Sequence, residues 1–572
     1  MKNPKILSPI NCIQDMDLVA KTKCKSVYLY HSYFLEEKNY NLIFDYIEEA
    51  KKYDFEFFIN FKSTINEIEV EKIKNFLDFL IKHPVSGILI NSFNILSHIH
   101  IESIKSNKLP FKVFIDSGLN IHNLSGIEFV NWFYPIENIN ITEEIYLKNL
   151  MKIKKYTNFK LSIDTNNLPW IAEDILRKKT IETIIIKGDF KDSEEMIQGI
   201  CSIEKILENP KIFKDQKLPF KHLGNSCYKS NHFLGEFLSS SGKDFKFTGN
   251  IQQFNWKFKG VRLKQKSVDI TKIPRLSLRL TSLEQFKYLK KYLKTLSFNP
   301  VYSIEYGEII NTFDLSKYSF NKILEKIKKD CLQYNIKLQL STPKILIERD
   351  FDRVYEYVKL LCTKFPYPSS IIINNIGYWW TIINDTDFEK ISVELGQGLN
   401  LLNSDSILSL VNQHPVLSVD LSNFTDINNI KFCIDKIKDK IPNKKLTIAG
   451  NIRISSSGLC PLNNDSAILS RLSCSAPCRH GNYAILDPTI GELFPIAVDG
   501  FCRMHLFKNQ ILDLFKYLNY FQNTGINEFV IDFSGLPAKL VPILLNRFLN
   551  SLNCENYTSD PNFIINQYSK FT

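Results

Sequence analysis

Short β-rich runs alternate with amphipathic helices along this chain, and the alternation is written twice. SVYLYH is followed by the helix-periodic NYNLIFDYIEEAKKY, then EFFINF, then VEKIKNFLDFLIKH, then GILIN. Strands separated by helices of this length imply βαβ units and a parallel sheet. Carried round a circle, the pattern predicts a (β/α)8 barrel whose working face lies at the strand C-termini. About 280 residues later it recurs: GILINSF at Gly87–Phe93 matches SIIINNI at Ser370–Ile376. FIDSGLNIHN matches VELGQGLNLLN through a shared Gly-Leu-Asn-x-x-Asn, with Gly118, Leu119, Asn120 and Asn123 against Gly398, Leu399, Asn400 and Asn403. TIETIIIKGDF at Thr180–Phe190 matches GINEFVIDFSG at Gly525–Gly535. Three matches in one order argue for a tandem duplication. The expected fold is α/β: two tandem (β/α)8 TIM-barrel-like domains with a small β-rich module between them. The first barrel covers 1–210, the module 211–273, the second barrel 274–555 and a tail 556–572.

The copies differ in length where it matters. Gly118 to Gly188 is 70 residues, whereas Gly398 to Phe533 is 135. The surplus of about 65 residues holds Cys460, Cys474, Cys478 and Cys502, in the frame Cys-x13-Cys-x3-Cys-x23-Cys. Four thiolates from one short segment can close a tetrahedral site. One tight pair with two distant singles is less like the paired knuckles of structural zinc than like an iron–sulfur site, but the spacing leaves both open, with His480 as a substitute ligand. Small buried thiols are the plainer alternative. The first copy lacks this segment and is expected to scaffold or bind substrate.

With 44% hydrophobic and 23% charged residues the chain is not disordered as a whole. No apolar run is long enough to span a membrane, and the start has no signal-peptide core, so a cytoplasmic protein with reduced thiols is expected. The net charge of +11 is concentrated: residues 211–280 hold fifteen Lys/Arg against four Asp/Glu. Within them GKDFKFTGNIQQFNWKFKGVRLKQK alternates aromatics with Lys, so 243–266 is the candidate RNA-binding surface. The alternative is that the aromatics form the module's own core and the Lys its wet side.

Around the cysteines the residues resemble peptidase family U 32, the collagenase-like family. The likeness rests on Gly450, then Cys460-Pro461-Leu462-Asn463, Cys474 and Cys478, a strand ending at Asp487, Phe494-Pro495-Ile496, and Asp499-x-x-Cys502-Arg503-x-His505 with Asn509 following. KILSPINCIQDMDLVAKTKCKSVYLYH resembles the family's opening strand and helix, and IKGDFKDS its Ile-Glu-Gly-Arg-x-Lys-Ser motif, although Asp189 stands where the family has Arg. The whole resembles the long two-barrel members with a small domain between. The resemblance implies a 4Fe–4S cluster on Cys460, Cys474, Cys478 and Cys502, and oxygen-independent hydroxylation of a pyrimidine in tRNA or ribosomal RNA, or of a ubiquinone precursor. It further implies prephenate as a possible oxygen donor, hence a small-molecule co-substrate.

The family was named for proteolysis, and a collagenase-like peptidase is one alternative. The chain shows no Gly-x-Ser-x-Gly elbow and no His-Glu-x-x-His. A non-catalytic RNA-binding or assembly protein with a structural cluster is the other. Asp499, Arg503 and His505 are the candidate catalytic residues: Arg503 can hold a carboxylate bidentately, and His505 or Asp499 can move a proton. Serving only to tune the cluster through hydrogen bonds is the alternative for all three. Asn400 and Asn403, with Glu394 just before them, follow a predicted strand and are the candidate substrate-binding residues; capping turns is the alternative for the asparagines.

Overall fold

The computed structural model describes residues 4–208 and 273–552, less 35, 62–64, 107–108, 117–118, 120, 134–135, 142–159, 165–180, 188–189, 191, 308–316, 365–368, 423–426, 458–482, 488–491, 500, 502 and 509. The chain divides into two compact units between residues 244 and 245. The 211–272 part of the expected β-rich module and the 556–572 tail lie outside the described residues. No helix among the described residues is long and apolar enough to cross a membrane.

The first unit holds a closed barrel of eight parallel strands: β1 Lys5–Pro9, β2 Ser26–Tyr30, β3 Glu56–Asn60, β4 Gly87–Ile90, β5 Lys112–Ile115, β6 Asn138–Ile141, β7 Lys160–Asp164 and β8 Thr183–Ile185. β8 returns to β1 through Leu7 opposite Ile185. Helices sheathe it by burying one stripe each. In Val70–Lys82 the buried positions are Val70, Ile73, Phe76, Leu77 and Leu80, the three- and four-residue spacing of a single helical face. Leu7, Tyr28, Phe58, Leu89, Phe114 and Ile185 pack together as an apolar plug contributed by six strands. Gly87 makes room for it, since a Cβ there would lie 2.3 Å from the Phe58 ring.

The second unit repeats the plan. β9 Arg275–Leu280, β10 Ser303–Tyr306, β11 Lys337–Ser341, β12 Ser370–Ile373, β13 Ser392–Leu395, β14 Ser418–Asp420 and β15 Asn443–Gly450 pair in order and in parallel. Between β15 and the closing strand the chain makes a four-stranded antiparallel sheet from β16 Arg453–Ser457, β17 Tyr483–Asp487, β18 Glu492–Val498 and β19 Met504–Phe507, in the order β16-β19-β18-β17. A two-residue strand, β20 Leu512–Asp513, then runs antiparallel to the end of β15. β21 Glu528–Asp532 closes the barrel between β15 and β9. Two eight-stranded barrels are therefore present as expected, and the insert of the second copy is a small sheet of its own.

The duplication reaches individual hydrogen bonds. Asn91 follows β4, and its Nδ2 donates to the carbonyl of Phe61 at 2.7 Å; Asn374 follows β12 and donates to the carbonyl of Thr342 at 2.8 Å. Each ties the end of its strand to the start of the preceding βα loop. Asn123 and Asn403 both cap helices, accepting from the amides of Gly126 and Ser406 at 2.9 Å. In the second copy a Cβ on Gly398 would lie 2.5 Å from that of Asn374, so the glycine of the shared motif is what lets the loop close on the asparagine.

Candidate functional site

The four-stranded sheet brings the described residues that flank the cysteine segment to one end. Ser457 at the end of β16 and Val498 at the end of β18 both pair with Met504 at the start of β19, and Tyr483 at the start of β17 lies opposite Ile496. Cys460 comes three residues after Ser457, Cys478 five before Tyr483 and Cys502 two before Met504. Four adjacent strands span roughly 14 Å, and a chain reaches about 3.5 Å per residue. Convergence of the thiols is thus within reach of their anchors. The four cysteines themselves, and His480, lie outside the described residues.

At the same end sit the three predicted catalytic residues, all at most 5% exposed. Asp499 Oδ1 accepts from the amides of Phe501 at 2.8 Å and Arg503 at 3.0 Å, closing a tight turn across the Cys502 position. Its Oδ2 accepts from Arg503 Nε at 2.8 Å and lies 3.3 Å from His505 Nε2. Burial alone would raise the Asp499 carboxyl, but the Arg503 guanidinium and the His505 hydrogen bond hold it down at about 2. His505 Nδ1 is 3.0 Å from Ser456 Oγ, its cross-strand neighbour. Arg503 stacks over the Phe501 ring at 4.4 Å and donates through Nη1 to the carbonyl of Ile345, in the loop after β11. Arg503 Nη2 is buried without an acceptor among the described residues. A buried donor left open costs about 1–3 kcal/mol, more when charged. This one is next in sequence to a predicted ligand and is suited to an anion: a thiolate-bound cluster or a carboxylate.

The residues expected to bind substrate have other settings. Glu394 is 1% exposed inside the second barrel, 2.6 Å from Lys445 Nζ, and accepts from Gln339 Nε2 at 2.6 Å and from the hydroxyls of Ser370 and Ser418. Asn403 is fully buried as a helix cap, which is the alternative named for it above. Asn400 is exposed and takes a left-handed backbone, φ 58°, after the short 3-10 turn Gln397–Leu399. The 243–266 segment lies outside the described residues.

Missed from the sequence is a charged network filling the second barrel. Lys445 Nζ lies 3.2 Å from Glu305 and from Glu528 as well as 2.6 Å from Glu394. Arg279 pairs with Glu305 at 2.9 Å, Asp532 at 2.8 Å and Asp420 at 3.1 Å. Five carboxylates thus face two cations. Burial raises Asp420 and Glu528 above the usual carboxylate range, aided by Glu305 and Glu394; Arg279 and Lys445 only partly oppose this. Glu305, touching both cations, is lowered despite its burial. The signal was available as charged residues at alternate positions of apolar strands, in RLSLRL, SIEY, SVEL and EFVID.

No family model matches the chain, and no curated protein matches it. Solved structures that it resembles include thiamine phosphate pyrophosphorylase from Pyrococcus furiosus, at 11% identity over 36% of this chain and 95% of that one, TM-score 0.25. Others are the YdjI aldolase from Escherichia coli K12, at 11% identity over 39% and 84%, TM-score 0.25, and DHDPS from Cyanidioschyzon merolae, at 12% identity over 40% and 80%, TM-score 0.25. Likenesses at this level carry no argument about activity; the fold rests on the strand pairings, and the conclusion they allow is a protein of two TIM barrels.

Proposed function

We propose that the second barrel and its inserted sheet form an iron–sulfur enzyme of the type found in peptidase family U 32, hydroxylating a pyrimidine of tRNA or ribosomal RNA without oxygen. One observation supports the reading: the strand ends that flank the cysteine-bearing stretches, Ser457, Tyr483, Val498 and Met504, lie at a single end of a small sheet, beside a buried arginine whose Nη2 has no acceptor among the described residues. Cys460, Cys474, Cys478 and Cys502 would hold the 4Fe–4S cluster, which would supply one-electron chemistry. Asp499 fixes Arg503 and His505. Arg503 Nη2 would take the carboxylate of a small oxygen-donating co-substrate such as prephenate, and His505, poised between Asp499 and Ser456, would carry a proton. For the RNA, Lys287, Lys291, Lys294 and Lys326 line a cavity of about 270 Å³ between the helices Leu283–Leu293 and Lys317–Gln333, in addition to the basic 243–266 segment.

A peptidase is favoured by one observation of its own: Ser456, His505 and Asp499 form a hydroxyl–imidazole–carboxylate chain. The imidazole is turned, however, with Nδ1 toward the serine and Nε2 toward the aspartate, and Asp499 is already paired with Arg503. Iron and acid-labile sulfide, measured with a visible spectrum on protein purified without oxygen, separate the readings. About four of each per chain, lost in Cys474→Ala, followed by loss of a hydroxylated nucleoside in a deletion strain, supports the hydroxylase. Metal-free protein that cleaves casein, and ceases to in Ser456→Ala, replaces it with the peptidase. A full cluster with an unchanged nucleoside inventory leaves a structural cluster in an RNA-binding or assembly protein.

A further inference from the structure

The helix Leu283–Leu293 begins at the mouth of the second barrel. Ser282 caps it, and Gln285 Nε2 donates to the carbonyls of Phe533 and Leu536, just past the closing strand, at 2.7 and 2.8 Å. From there the helix runs down the flank of the barrel beside the helix Lys317–Gln333. Its residues in the groove between the two are Leu283, Phe286, Lys287, Lys290, Lys291 and Lys294, the three- and four-residue steps of one face. A helix face turned to a neighbour is ordinarily apolar throughout. This one is apolar for its first turn and cationic after it.

The cations are not matched. Lys326, Ile327 and Asp330 line the groove from the other helix, and Asp330 is the one carboxylate in the lining. Lys290 takes that carboxylate. Lys287, Lys291, Lys294 and Lys326 are exposed and have no anionic partner among the described residues. Lys287 and Lys291 are four residues apart, and Lys291 and Lys294 three, where like charges repel. A bound anion reverses that repulsion. Phe286 and Ile327 are buried, so with Leu283 they floor the cavity of about 270 Å³, while the lysines stand on its rim. An apolar floor under a row of cations suits a flat apolar body that carries negative charge at its edge. At 1.5 Å per residue, Lys287 and Lys294 stand about 10 Å apart along the helix, which suits charge repeated along a strand better than charge at one point.

We propose that this groove holds one unpaired nucleotide of an RNA strand, its base on the apolar floor and the phosphates on either side of it on the lysines. Lysines grip phosphate as point charges and read no sequence. A paired base is enclosed in its own duplex and does not reach the floor. The cavity is smaller than a drug-sized pocket, which suits a single nucleotide and excludes a peptide helix. The inference deepens the RNA part of the function proposed above and rests on that part alone; the reaction at the cysteine segment does not enter it. Because the helix starts at the mouth, a strand lying in the groove leads away from the mouth, and the nucleotide held here flanks the one at the mouth.

The test is fluorescence anisotropy on the full chain with labelled octauridylate, an abasic ribose-phosphate octamer and a blunt RNA duplex as probes. Lys287→Gln, Lys291→Gln, Lys294→Gln and Lys326→Gln are combined in one groove variant. A control variant removes the same charge from exposed lysines elsewhere, Lys21, Lys51, Lys82 and Lys431. All eight positions are at the surface, and circular dichroism checks both folds. Octauridylate is expected to bind the groove variant about tenfold or more weakly, with a salt slope shallower by roughly two to three, and the control variant within about twofold of the parent. The abasic octamer binds the parent about tenfold more weakly than octauridylate, and the duplex binds parent and groove variant alike. Unchanged octauridylate affinity in the groove variant, an equal loss in the control, an equal loss for the duplex, or equal binding of the abasic octamer overturns the inference and leaves RNA binding standing. Displacement of octauridylate by oligoglutamate at equal charge overturns it in favour of an acidic peptide. No binding of octauridylate removes the inference and the RNA part of the function together. The expected losses alongside an unchanged nucleoside inventory in a deletion strain uphold the groove and remove only the reaction.

Discussion

Arg503 shows how much one buried side chain can set. Nε answers Asp499, Nη1 answers a barrel loop, and Nη2 answers nothing among the described residues. Arg503→Ala strands the Asp499 carboxylate, 5% exposed, without its cation, so the second unit loses on the order of 3 kcal/mol, read as a lower denaturant midpoint. Arg503→Lys restores charge without the planar fork and recovers only part of it. These residues were legible in advance because Asp-x-x-Cys-Arg-x-His is a compact motif. The contact of Asn91 with Asn60 and Asp116 in the first barrel was not. All three stand at strand ends, where Asn and Asp ordinarily serve turns, and nothing in a linear reading shows that separate strands bring them together. The same ambiguity cuts the other way at Asn403, whose side chain is taken up by its helix.

At the scale of the element, Gly450 controls the passage from β15 into the inserted sheet. Its backbone is at φ 112°, and a Cβ there would lie 2.0 Å from the carbonyl of Asp532. Gly450→Ala must push β15 away from β21, where Asn451 N also bonds to that carbonyl at 2.9 Å. A loss of at least about 2 kcal/mol is expected, together with faster amide exchange in β20 and β21; exchange unchanged from the parent would refute this account. Strands and helices were readable from period and turn residues. The insert was readable as surplus length but not as a sheet, because its four strands pair antiparallel among themselves and do not continue the βα repeat that made the barrels legible.

For the whole molecule, two sets of carboxylates act in opposite directions on pH. Asp499 is depressed to about 2, so its contribution is complete above the unfolded carboxylate range and drains away as pH falls from about 4 toward 2, some 2 kcal/mol in all. Asp420 and Glu528 are raised, so stability is greatest below the unfolded range and declines as pH rises through their folded values. Thermal unfolding of the second unit should peak in mild acid, and Glu528→Gln should flatten the alkaline side of that peak while leaving the acid side alone. The tandem barrels themselves were legible because a duplicated pattern reports twice, and the two strand-end asparagines Asn91 and Asn374 show the repetition holding down to one hydrogen bond.

The position of β21 sets an order of events during synthesis. It is the last strand of the second barrel, and it follows the inserted sheet in the chain. When Cys502 has left the ribosome, β9 and β15 are still unpaired edges of an open seven-stranded sheet, and remain so until Glu528–Asp532 emerges. Whatever the four thiols take up can therefore be delivered to a nascent chain whose ligands are all present and whose barrel is still open. A chain stopped at residue 524 would hold that stage: all four cysteines present, the barrel unclosed, and β9 readily cut by protease.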